Sequence, residues 1–433
     1  MRVDVMAGWL EPEEKIGELD VRFSHGREVF ALELDGDWIT NHRSLVLDPD
    51  LSPFRGVQYP YPGRAMFGLL SDAAPDRWGR RLIERASHAI AEKKHTAVRG
   101  LHEADYLFGV SDPLRYGGLR FRDRGTGLYM LSGREKVPPL TDIRMLEEAV
   151  RGYEMSAKDD AFLRLLVDPG SSLGGARPKA NVIDSEGQLW IAKFPSKTDE
   201  YDIGAWEMAE HELAVSCGLD VPDAKLMQLS EHGSTFLTRR FDRDHEHRVH
   251  AMSFMTALDM TDGQTDGTGY MDMAGQLEVM SACPGEDLQE LWKRLAFNVL
   301  TSNCDDHLRN HGLVLRDDGW RLAPAYDLNP APEKDSLSLD ILDGDRRKDI
   351  RHVLEIAPLF RIPESASGEI IRDMQIRIGD NWEKTAFRCR ISERSIRHMA
   401  PAFAECHREL NPTGRMVPMA GKQGARRNAD RKR

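Results

Sequence analysis

The chain has 433 residues and a formal net charge of −12; hydrophobic residues make up 40% of it and charged residues 30%. This length is about two to three times that of a typical domain, so we expect two or three packed units. No apolar run approaches the length of a membrane helix, and the start, MRVDVMAGWLEPEEK, has acidic residues where a secretory signal would be apolar. We therefore expect a cytoplasmic protein without membrane attachment.

The cysteines exclude one class of metal site. They are odd in number, far apart in the sequence and never arranged as CxxC: Cys217, Cys283, Cys304, Cys389 and Cys406. This pattern favours reduced thiols and argues against a zinc ribbon.

Charge is distributed unevenly along the chain. Residues 414–433 hold seven Lys or Arg against one Asp, so the acidic excess lies in the remainder of the chain. An acidic body argues against a broad nucleic-acid-binding face. The basic tail either contacts DNA, RNA or an acidic partner, or is a disordered solubilising segment.

The first predicted unit covers residues 1–125. Short alternating runs such as REVFALEL, interrupted by Gly, Asp and Pro, predict small twisted strands up to about residue 60. The segment GRAMFGLLSDAAPDRWGRRLIERASHAIAE then has helical spacing, with a break at Ala74-Pro75. We interpret this region as an α+β unit, joined by a polar link to a second unit that begins near residue 140.

The second predicted unit covers residues 140–243. After a helix over DIRMLEEAVRGYE, a glycine-rich loop precedes two strand-like runs, KANVID and QLWIAKF, which flank the turn SEG. An amphipathic helix follows and ends near Gly218, and a further strand pair leads to FLTRRFDRD. We expect residues 244–413 to be mostly helical apart from one hairpin at 312–326, and residues 414–433 to form a separate basic tail.

The glycine-rich loop contains Ser171, Ser172, Gly174 and Gly175. We predict a flexible segment whose backbone amides approach phosphate oxygens, which larger side chains would obstruct. It is not a Walker A loop, because Ala176 stands where that motif needs a lysine. The loop alone does not distinguish a phosphate site from a plain turn, so its position before the following strand matters more than its composition.

Lys193 lies inside an apolar strand, where a charged side chain is uncommon without a partner. Glu207 and Glu210, in the helix that follows, are both available as that partner. A strand lysine after a glycine-rich loop, paired with a helix glutamate, is the arrangement that protein kinases use to hold nucleotide phosphates. An ion pair on an edge strand remains the structural alternative.

The segment TSNCDDHLRNHG at 301–312 contains the densest group of polar side chains. A kinase catalytic loop separates its base from its metal-binding asparagine by five positions, D-x-x-x-x-N. Asp305 and Asn310 have that separation, whereas Asp306 and Asn310 do not. The spacing therefore predicts Asp305 as the base, and Asp306 as a residue at the surface or just behind the site.

A second carboxylate is expected from the end of the hairpin. The pair Asp318-Gly319 is a strong turn signal between two strand-like runs, so the ends of the hairpin should converge. Asn310 precedes the first strand and Asp327 follows the second. Two oxygen ligands brought together in this way suit Mg²⁺, and the combination predicts phosphoryl transfer.

A metallohydrolase is the alternative interpretation of the same segment. His307 and His311 are four positions apart and would share a face if a helix continued through them. Gly312 and the hairpin follow at once, and no carboxylate stands between the two histidines as H-E-x-x-H requires. We therefore favour phosphoryl transfer.

Five motifs in order resemble the HipA family of bacterial toxin serine/threonine kinases. They are GGARPK at 174–179, IAKFPS at 191–196, RRFDR at 239–243, CDDHLRNHG at 304–312 and APAYDL at 323–328. The segment GLLSDAAPDRWGRRLI is similar to the N-terminal subdomain of that family, and the resemblance extends to about residue 410. It implies a protein-kinase-like two-lobed α+β fold, with a small β-rich lobe, a mostly helical lobe and an N-terminal α+β subdomain.

The resemblance also implies roles for individual residues. The glycine-rich loop would cover the ATP phosphates through Gly174, Gly175, Ala176, Arg177, Pro178 and Lys179. Lys193 would contact the phosphates and pair with Glu207, which occupies the place of the family's helix glutamate. A hinge against the adenine would consist of Arg239, Arg240 and Phe241, acting mainly through backbone groups. The nucleotide site would be lined by His307, Leu308, Arg309, Asn310, Tyr326 and Asp327, with Asn310 and Asp327 holding Mg²⁺.

Two departures from the best-known members bear on these roles. Arg239 replaces an acidic hinge residue, so nucleotide contacts there would differ. Ser172 matches the loop serine that such kinases phosphorylate on themselves, and Ser171 beside it makes the modified position ambiguous. A phosphoserine carries nearly two negative charges and would repel ATP from the loop, which is consistent with self-inactivation.

The family resemblance implies an ATP- and Mg²⁺-dependent kinase that is the toxin of a toxin–antitoxin pair. It suggests an aminoacyl-tRNA synthetase as substrate class and a small DNA-binding antitoxin of HipB type as partner, with DNA contacted only through the antitoxin. Two other functions stay open: a non-catalytic kinase-fold binding or repressor module, and a small-molecule kinase. Retention of Lys193, Asp305, Asn310 and Asp327 argues against the non-catalytic module.

Overall fold

The computed structural model describes residues 1–132, 137–155, 160–172 and 175–409. The predicted loop residue Gly174 and the predicted basic tail, residues 414–433, lie outside these ranges. Within them, no helix combines the length and the apolar character needed to cross a membrane.

The N-terminal part is built on a five-stranded antiparallel sheet. Its strands are β1 (Arg2–Ala7), β2 (Glu14–Ser24), β3 (Arg27–Leu34), β4 (Val57–Gln58) and β5 (Leu119–Asp123), in the order β4-β3-β2-β1-β5. The β2–β3 hairpin turns at His25-Gly26, where both residues have positive φ angles of 50° and 78°. Such a two-residue turn matches the twist of the flanking strands.

Four helices accompany this sheet: α1 (Gly36–Asn41), α2 (Gly68–Asp72), α3 (Arg77–Lys93) and α4 (Glu103–Phe108). The expected break at Ala74-Pro75 separates α2 from α3. Asp76 begins α3 as its N-cap, with its carboxylate accepting from the Arg77 amide. The predicted position of this break is therefore confirmed.

The middle part contains a four-stranded antiparallel sheet. Its strands are β6 (Lys179–Ile183), β7 (Leu189–Lys193), β8 (Ala224–Ser230) and β9 (Gly233–Arg239), in the order β6-β7-β9-β8. Helices α5 (Ile143–Met155) and α6 (Asp160–Gly170) precede the sheet, and α7 (Ile203–Ser216) connects β7 to β8. The hairpin around the turn SEG and the helix that ends before Gly218 are both found where the sequence predicts them.

The C-terminal part begins with small sheets. Strands β10 (Arg243–Asp244) and β11 (His247–Arg248) form a two-stranded ribbon, and β12 (Ala251–Ser253), β13 (Gly312–Arg316) and β14 (Gly319–Leu322) form a three-stranded sheet. The predicted hairpin thus gains a third strand. The predicted boundary between residues 243 and 244 falls within β10.

The helices of the C-terminal part are α8 (Phe254–Ala257), α9 (Tyr270–Met280), α10 (Pro284–Thr301), α11 (Ile350–Ile356), α12 (Glu364–Gly379), α13 (Trp382–Arg388) and α14 (Glu393–Met399), followed by a 3₁₀ segment at Ala400–His407. Residues 327–349 depart from the predicted helical character, since they contain only isolated bridges. Pro330 and Pro332 oppose a helix at the start of this segment, because proline cannot donate the backbone hydrogen bond that a helix interior needs.

The two largest of the three hydrophobic clusters among the described residues hold these parts together. The larger core joins the inner face of the N-terminal sheet to the C-terminal helices, and includes Phe67, Phe121 and Trp292. The smaller core lies under the four-stranded sheet and takes Trp78 and Leu82 from α3. The N-terminal part therefore packs on both lobes, which places the segment between α2 and α3 at their junction.

Candidate functional site

The centre of the site is a buried group of charges where the two lobes meet. The Lys193 ammonium, at the end of β7, donates to the carboxylates of both Glu207 and Asp327. The side chains of Lys193 and Glu207 are 8% and 4% exposed, and that of Asp327 is 33% exposed. Glu210, the alternative partner, is fully buried beside Thr301 instead. The arrangement joins the sheet, the helix α7 and the segment after β14.

Electrostatics in this group favour the charged forms of Lys193 and Asp327. Burial acts to lower the pKa of Lys193, but the nearby charges of Asp327 and Glu207 outweigh it and raise that pKa. Burial acts to raise the pKa of Asp327, but Lys193 and Lys179 outweigh it and hold that pKa below its usual range. At neutral pH the site therefore presents an ammonium and an ionised carboxylate side by side.

The hairpin β13–β14 brings both ends of its sequence together, as its turn signal predicts. Leu313 pairs with Leu322, and the Ala323 amide donates to the Gly312 carbonyl at 2.9 Å. The Tyr326 hydroxyl then donates to the Arg309 carbonyl at 2.8 Å. This contact ties the segment that carries Asp327 to the segment that carries Asn310.

Asp327 itself has a left-handed backbone conformation, with φ at 61°. This region is costly for a residue other than glycine, and such residues cluster at functional sites. The conformation occurs at the residue whose carboxylate meets Lys193. The neighbouring fold thus holds Asp327 in a geometry that its own backbone preference disfavours.

The loop between Asp305 and Asn310 closes on itself. The Asn310 amide nitrogen donates to the Asp305 carbonyl at 2.7 Å, across the predicted five-residue separation. With that nitrogen committed to the loop, the amide oxygen of Asn310 is the atom suited to a cation. The Asp305 carboxylate is 64% exposed, with the Lys334 ammonium 3.5 Å away.

Asp306 has the opposite environment from Asp305. It is 2% exposed, accepts from the Tyr270 hydroxyl at 2.8 Å and from the Ser338 amide at 2.7 Å, and supports the loop from behind. Burial raises the pKa of Asp306 to about 6, although these hydrogen bonds act to lower it. Asp306 therefore lies just behind the site. The alternative prediction, that it lies at the surface, is wrong.

The two histidines do not share a helix face, because only a short 3₁₀ turn, Leu308–Asn310, lies between them. Burial lowers the pKa of His311 to about 3, so its ring is neutral. His307 is half-buried, and its Nδ1 has no hydrogen-bond partner among the described residues. This geometry does not support the metallohydrolase interpretation, which needed a helix through both residues.

Two further predicted lining residues have side chains committed elsewhere. Leu308 is fully buried in the large core, which leaves only its backbone for a nucleotide. The Arg309 guanidinium donates to Asp262 at 3.1 and 2.9 Å. Nucleotide binding at these two positions, as the resemblance implies it, would therefore have to involve their backbone groups.

The glycine-rich loop is held by the N-terminal part. The Gly175 amide, expected to face phosphates, donates to the Asp76 carboxylate at 2.8 Å, and the Gly175 carbonyl accepts from the Trp78 amide at 3.0 Å. The Ala176 carbonyl accepts from Arg81 at 2.6 Å. Gly175 has a φ of 79°, which glycine adopts without a steric cost.

The remaining loop residues lead into β6. Arg177 forms a two-armed ion pair with Asp199 at 2.9 and 2.8 Å, and the Pro178 carbonyl accepts from the Phe194 amide. Lys179 pairs across the strands with Lys193 and is buried, which lowers its pKa. The two lysines thus stand side by side at the entrance to the buried charges.

Ser171 and Ser172 are packed against the fold, in contrast to the flexible segment that we expected. They are 1% and 5% exposed. The Ser172 hydroxyl accepts from the Asn181 side chain at 3.0 Å, and the Ser171 hydroxyl donates to the Asp168 carbonyl at 3.3 Å. Phosphorylation of either serine would therefore require this segment to leave its present position.

The three residues of the predicted hinge, Arg239, Arg240 and Phe241, have different environments. Arg239 is half-exposed and lies 3.4 Å from Asp223. The Arg240 guanidinium is buried and donates to Asp242, Asn181 and the Leu114 carbonyl, so its side chain serves the fold. The Phe241 ring packs between Tyr116 and Tyr326, with ring centroids 6.2 and 5.3 Å apart.

The structure adds N-terminal residues that our prediction of the site omitted. Asp72 accepts from the Ser253 amide and hydroxyl at 2.8 and 2.7 Å and lies 3.9 Å from Arg309. Asp76 and Trp78 hold the glycine-rich loop. The sequence analysis predicted a break at Ala74-Pro75 but gave Asp76 no role, and no local pattern indicates its contact with Gly175, 99 positions away.

The middle part of the chain and much of its C-terminal part match a protein-family model. Residues 171–382 match the model described as HipA-like C-terminal domain. This range begins at the glycine-rich segment and includes Lys193, Glu207, the catalytic-loop candidates and Asp327. The matched domain therefore contains most of the site described above, and the N-terminal contacts lie outside it.

Two curated relatives come from Sinorhizobium fredii (strain NBRC 101917 / NGR234). "Putative kinase Y4mE" is 30% identical over 182 residues, which cover 36% of this chain and 41% of the relative. "Putative kinase Y4dM" is 30% identical over 158 residues, which cover 34% and 38%. The matches thus span about two fifths of each relative's length.

Among solved structures, the chain is similar to the HipA, HipB and operator DNA complex of the Shewanella oneidensis MR-1 toxin–antitoxin system. The TM-score is 0.61 at 15% sequence identity, and the match covers 93% of this chain and 96% of the other. At this identity the likeness concerns the fold, and it confirms the predicted two-lobed α+β class with an N-terminal subdomain. Residues 171–382 are thus similar to a HipA-like C-terminal domain, and the fold of the whole chain is similar to that of HipA.

Proposed function

We propose that this protein is an ATP- and Mg²⁺-dependent serine/threonine protein kinase that acts as the toxin of a toxin–antitoxin pair. The observation that carries the proposal is the convergence of Lys193, Glu207 and Asp327 next to the closed loop of Asp305 and Asn310. These are the phosphate-binding, metal-binding and base positions of phosphoryl transfer. The names of the curated relatives support the same reaction class.

The residues present fit a magnesium ion. Asp327 is held ionised by Lys193 and Lys179, and the amide oxygen of Asn310 is free of the loop contact that occupies its nitrogen. Carboxylate and amide oxygens are the ligands that Mg²⁺ accepts, usually with phosphate oxygens and waters completing the set. When bound, the ion neutralises the charge that develops on the transferred phosphoryl group.

Lys193 binds and orients the nucleotide. Its ammonium is positioned by Glu207, so it can turn from Asp327 toward phosphate oxygens without losing its partner on α7. Lys179 adds a second positive charge on the adjacent strand. The attraction between these two positive charges and phosphate oxygens is stronger in a buried site than in water, because the local dielectric is low.

Asp305 is proposed to orient and deprotonate the attacking hydroxyl. Its carboxylate is exposed at the mouth of the site, where a protein substrate can reach it. Its backbone is fixed by Asn310 and supported from behind by Asp306. An exposed carboxylate on a fixed loop is consistent with a base that must accept different positions of a large substrate.

Self-inactivation by phosphorylation of Ser172 or Ser171 belongs to the proposal. A phosphate on either serine could not fit where their hydroxyls are now buried, so the modified loop would be displaced. Mass spectrometry after incubation with ATP tests this step. Phosphate confined to other residues would contradict it.

The proposed partners are a HipB-type antitoxin and a translation-related substrate such as an aminoacyl-tRNA synthetase. The HipA that this fold resembles was solved with HipB and operator DNA, which supports the antitoxin and a contact with DNA through it. The synthetase is suggested by the family resemblance alone. Neither partner is needed for the test of catalysis that follows.

The deciding experiment labels a host lysate with radioactive ATP, using the wild type and Asp305→Gln. We expect labelled proteins only with the wild type. Asp317→Asn, which changes an exposed carboxylate in the β13–β14 turn, serves as the matched control and should behave as the wild type. Equal labelling by Asp305→Gln would contradict the proposed base, and labelling of a metabolite in place of proteins would indicate a small-molecule kinase.

Toxicity is tested separately with the same variant. If growth inhibition persists with Asp305→Gln while its phosphate transfer is lost, catalysis is not the toxic activity. That result would favour a binding or repressor module. Loss of both activities together supports the kinase toxin.

A further inference from the structure

The helix that carries Glu207 is also held by the C-terminal helices. Trp206, adjacent to Glu207 on α7, is 1% exposed, and its indole nitrogen donates to the Ser395 hydroxyl of α14 at 2.9 Å. These two residues are separated by 189 positions in the sequence. A contact of this kind links the ion pair of the small lobe directly to the last helices of the chain.

Aromatic packing extends this contact. The Trp206 ring lies 6.4 Å from the Phe403 ring, and Phe403 stacks on Trp382 with centroids 4.5 Å apart and an interplanar angle of 13°. All three rings are buried in the large core. The segment 382–407, which we call the C-terminal brace, therefore offers Trp206 a rigid socket as well as a hydrogen-bond acceptor.

Polar contacts hold the far end of α7 to the same region. Arg388, in the brace, donates to Glu212 at 2.7 Å. Arg377, in α12, donates to the Ser216 carbonyl at 2.9 Å, which satisfies a carbonyl group at the helix end. These contacts are exposed and therefore individually weak, so they add little to the hold that the buried Trp206 contact has on the helix.

The other side of α7 is held equally closely. Asp202 caps the helix and also accepts from the Ser234 amide at 3.0 Å and from its hydroxyl at 2.7 Å. A Cβ atom at Gly204 would lie 2.2 Å from the Ser234 carbonyl oxygen, so only glycine permits this approach to β9. The helix is thus enclosed between its own sheet and the brace.

We propose that the C-terminal brace is a built-in positioning element for the Lys193–Glu207 pair, with Trp206 and Ser395 as its positioning residues. The inference rests on the proposed kinase function. It assigns to these residues the task of keeping Glu207 directed at Lys193 before any nucleotide or partner binds. Neither residue touches the reacting atoms.

Helix geometry gives the physical reason. Successive residues of an α-helix point about 100° apart around the axis, so a rotation that removes Glu207 from the site also turns Trp206 out of its socket. Such a rotation would break the indole hydrogen bond and separate the stacked rings. A rotation of this helix that takes Glu207 away from Lys193 is therefore disfavoured.

Two readouts test the proposal: hydrogen exchange of the α7 amides in nucleotide-free protein, and the KM for ATP against kcat. In Ser395→Ala we expect exchange in α7 to accelerate and KM for ATP to rise, each by about 5-fold, the factor that one hydrogen bond is worth. The value of kcat should change much less, because bound nucleotide restores the pair. Trp206→Phe should act in the same direction while keeping most of the packing.

Conservative and matched variants complete the design. Ser395→Thr keeps the hydroxyl acceptor, so hydrogen exchange in α7 and the KM for ATP should stay near their wild-type values. Arg388→Ala removes an exposed contact of the brace and should leave KM near the wild-type value. Because exchange is measured without substrate, it tests the brace even if the wild type transfers no phosphate, in which case the proposed function fails separately.

Three outcomes would overturn the inference. Unchanged α7 exchange in both Ser395→Ala and Trp206→Phe would show that the brace does not hold the helix. Faster exchange with an unchanged KM in an active enzyme would show that the brace is structural and does not position Glu207. A loss of thermal stability in Ser395→Ala equal to that in Arg388→Ala, without either readout moving, would lead to the same conclusion.

Discussion

The buried charges at Lys193 and the exposed mouth at Asp305 differ in how completely the fold has already organised them. Lys193 has both carboxylate partners in place, and α7 is held from two sides. The Asp305 carboxylate is 64% exposed, and among the described residues its ion-pair partner is the Lys334 ammonium. The first region is prepared before ligands arrive, whereas the second is left open for a substrate, so substitutions should affect stability in the first and catalysis alone in the second.

Lys193→Met should have the largest effect and break the first region. It leaves Glu207 and Asp327 without their shared cation, and an unpaired buried charge costs about 3–5 kcal/mol. We expect the free energy of unfolding, measured with urea, to fall by about that amount and phosphate transfer to disappear. Lys225→Met, an exposed lysine over the Trp190 ring in the same sheet, should cost less than about 1 kcal/mol. Equal stability of the two variants would contradict the buried cluster.

Asp305→Asn should separate catalysis from folding. Removal of a general base lowers the rate by about 10²–10⁴-fold. Because the side chain is exposed, the free energy of unfolding should stay within about 0.5 kcal/mol of the wild type. A large loss of stability in Asp305→Asn would show that the segment around Asp305 is as tightly organised as the Lys193 cluster. That result would contradict the proposed difference between the two regions.

Asp306→Asn tests the support behind the mouth through pH. The Asp306 pKa is about 6 in the folded protein and about 3.9 in an unfolded chain. Between these values the folded state holds a proton that the unfolded state releases, so ionisation of Asp306 lowers stability as pH rises and its cost is complete above about pH 6. The stability of the variant relative to the wild type should therefore rise across this window, by about 2–3 kcal/mol.

The measurement for Asp306 is urea unfolding at several pH values between about 4 and 7. The altered hydrogen bonds to Tyr270 and Ser338 add a constant offset, so only the slope with pH matters. Asp305→Asn, the same substitution at the exposed neighbour, is measured in parallel. If the stability difference between Asp306→Asn and the wild type does not change with pH, the pKa of Asp306 is not raised in the folded protein and this prediction is contradicted.

Asp76→Ala should have the smallest effect and concerns the third region, where the N-terminal part holds the glycine-rich loop. It removes the N-cap of α3 and the acceptor of the Gly175 amide, for a loss of about 1 kcal/mol in the free energy of unfolding. Asp76→Asn keeps a side-chain oxygen and should retain most of the stability. If both substitutions cost the same, the charge of Asp76 matters rather than its hydrogen bonds.

Much of the site followed from local patterns. The five-residue separation of Asp305 and Asn310 places both on one short loop, and the Asp318-Gly319 turn correctly predicts the hairpin that brings Tyr326 and Asp327 back to it. These relations depend on backbone geometry over a few residues, which composition and spacing record. The break before α3 and the strand of Lys193 were predictable for the same reason.

Other features depended on contacts that no local pattern records. The Gly175 amide meets Asp76 across 99 positions. Asp306 is buried because Tyr270 and Ser338 approach it from 36 and 32 positions away. The burial of Ser171 and Ser172 results from packing against α3, where a Cβ atom at Gly79 would lie 2.4 Å from the Ser171 carbonyl oxygen.

By itself, the sequence determined the α+β class, the order of the elements and the identity of the polar residues that form the site. Tertiary structure alone decided which of those residues face each other, which aspartate is buried, and how the N-terminal part and the C-terminal brace hold the loop and α7. The physical reason is that periodicity and turn signals act over a few neighbouring residues, whereas hydrogen bonds, packing and pKa shifts depend on partners that folding brings from distant positions.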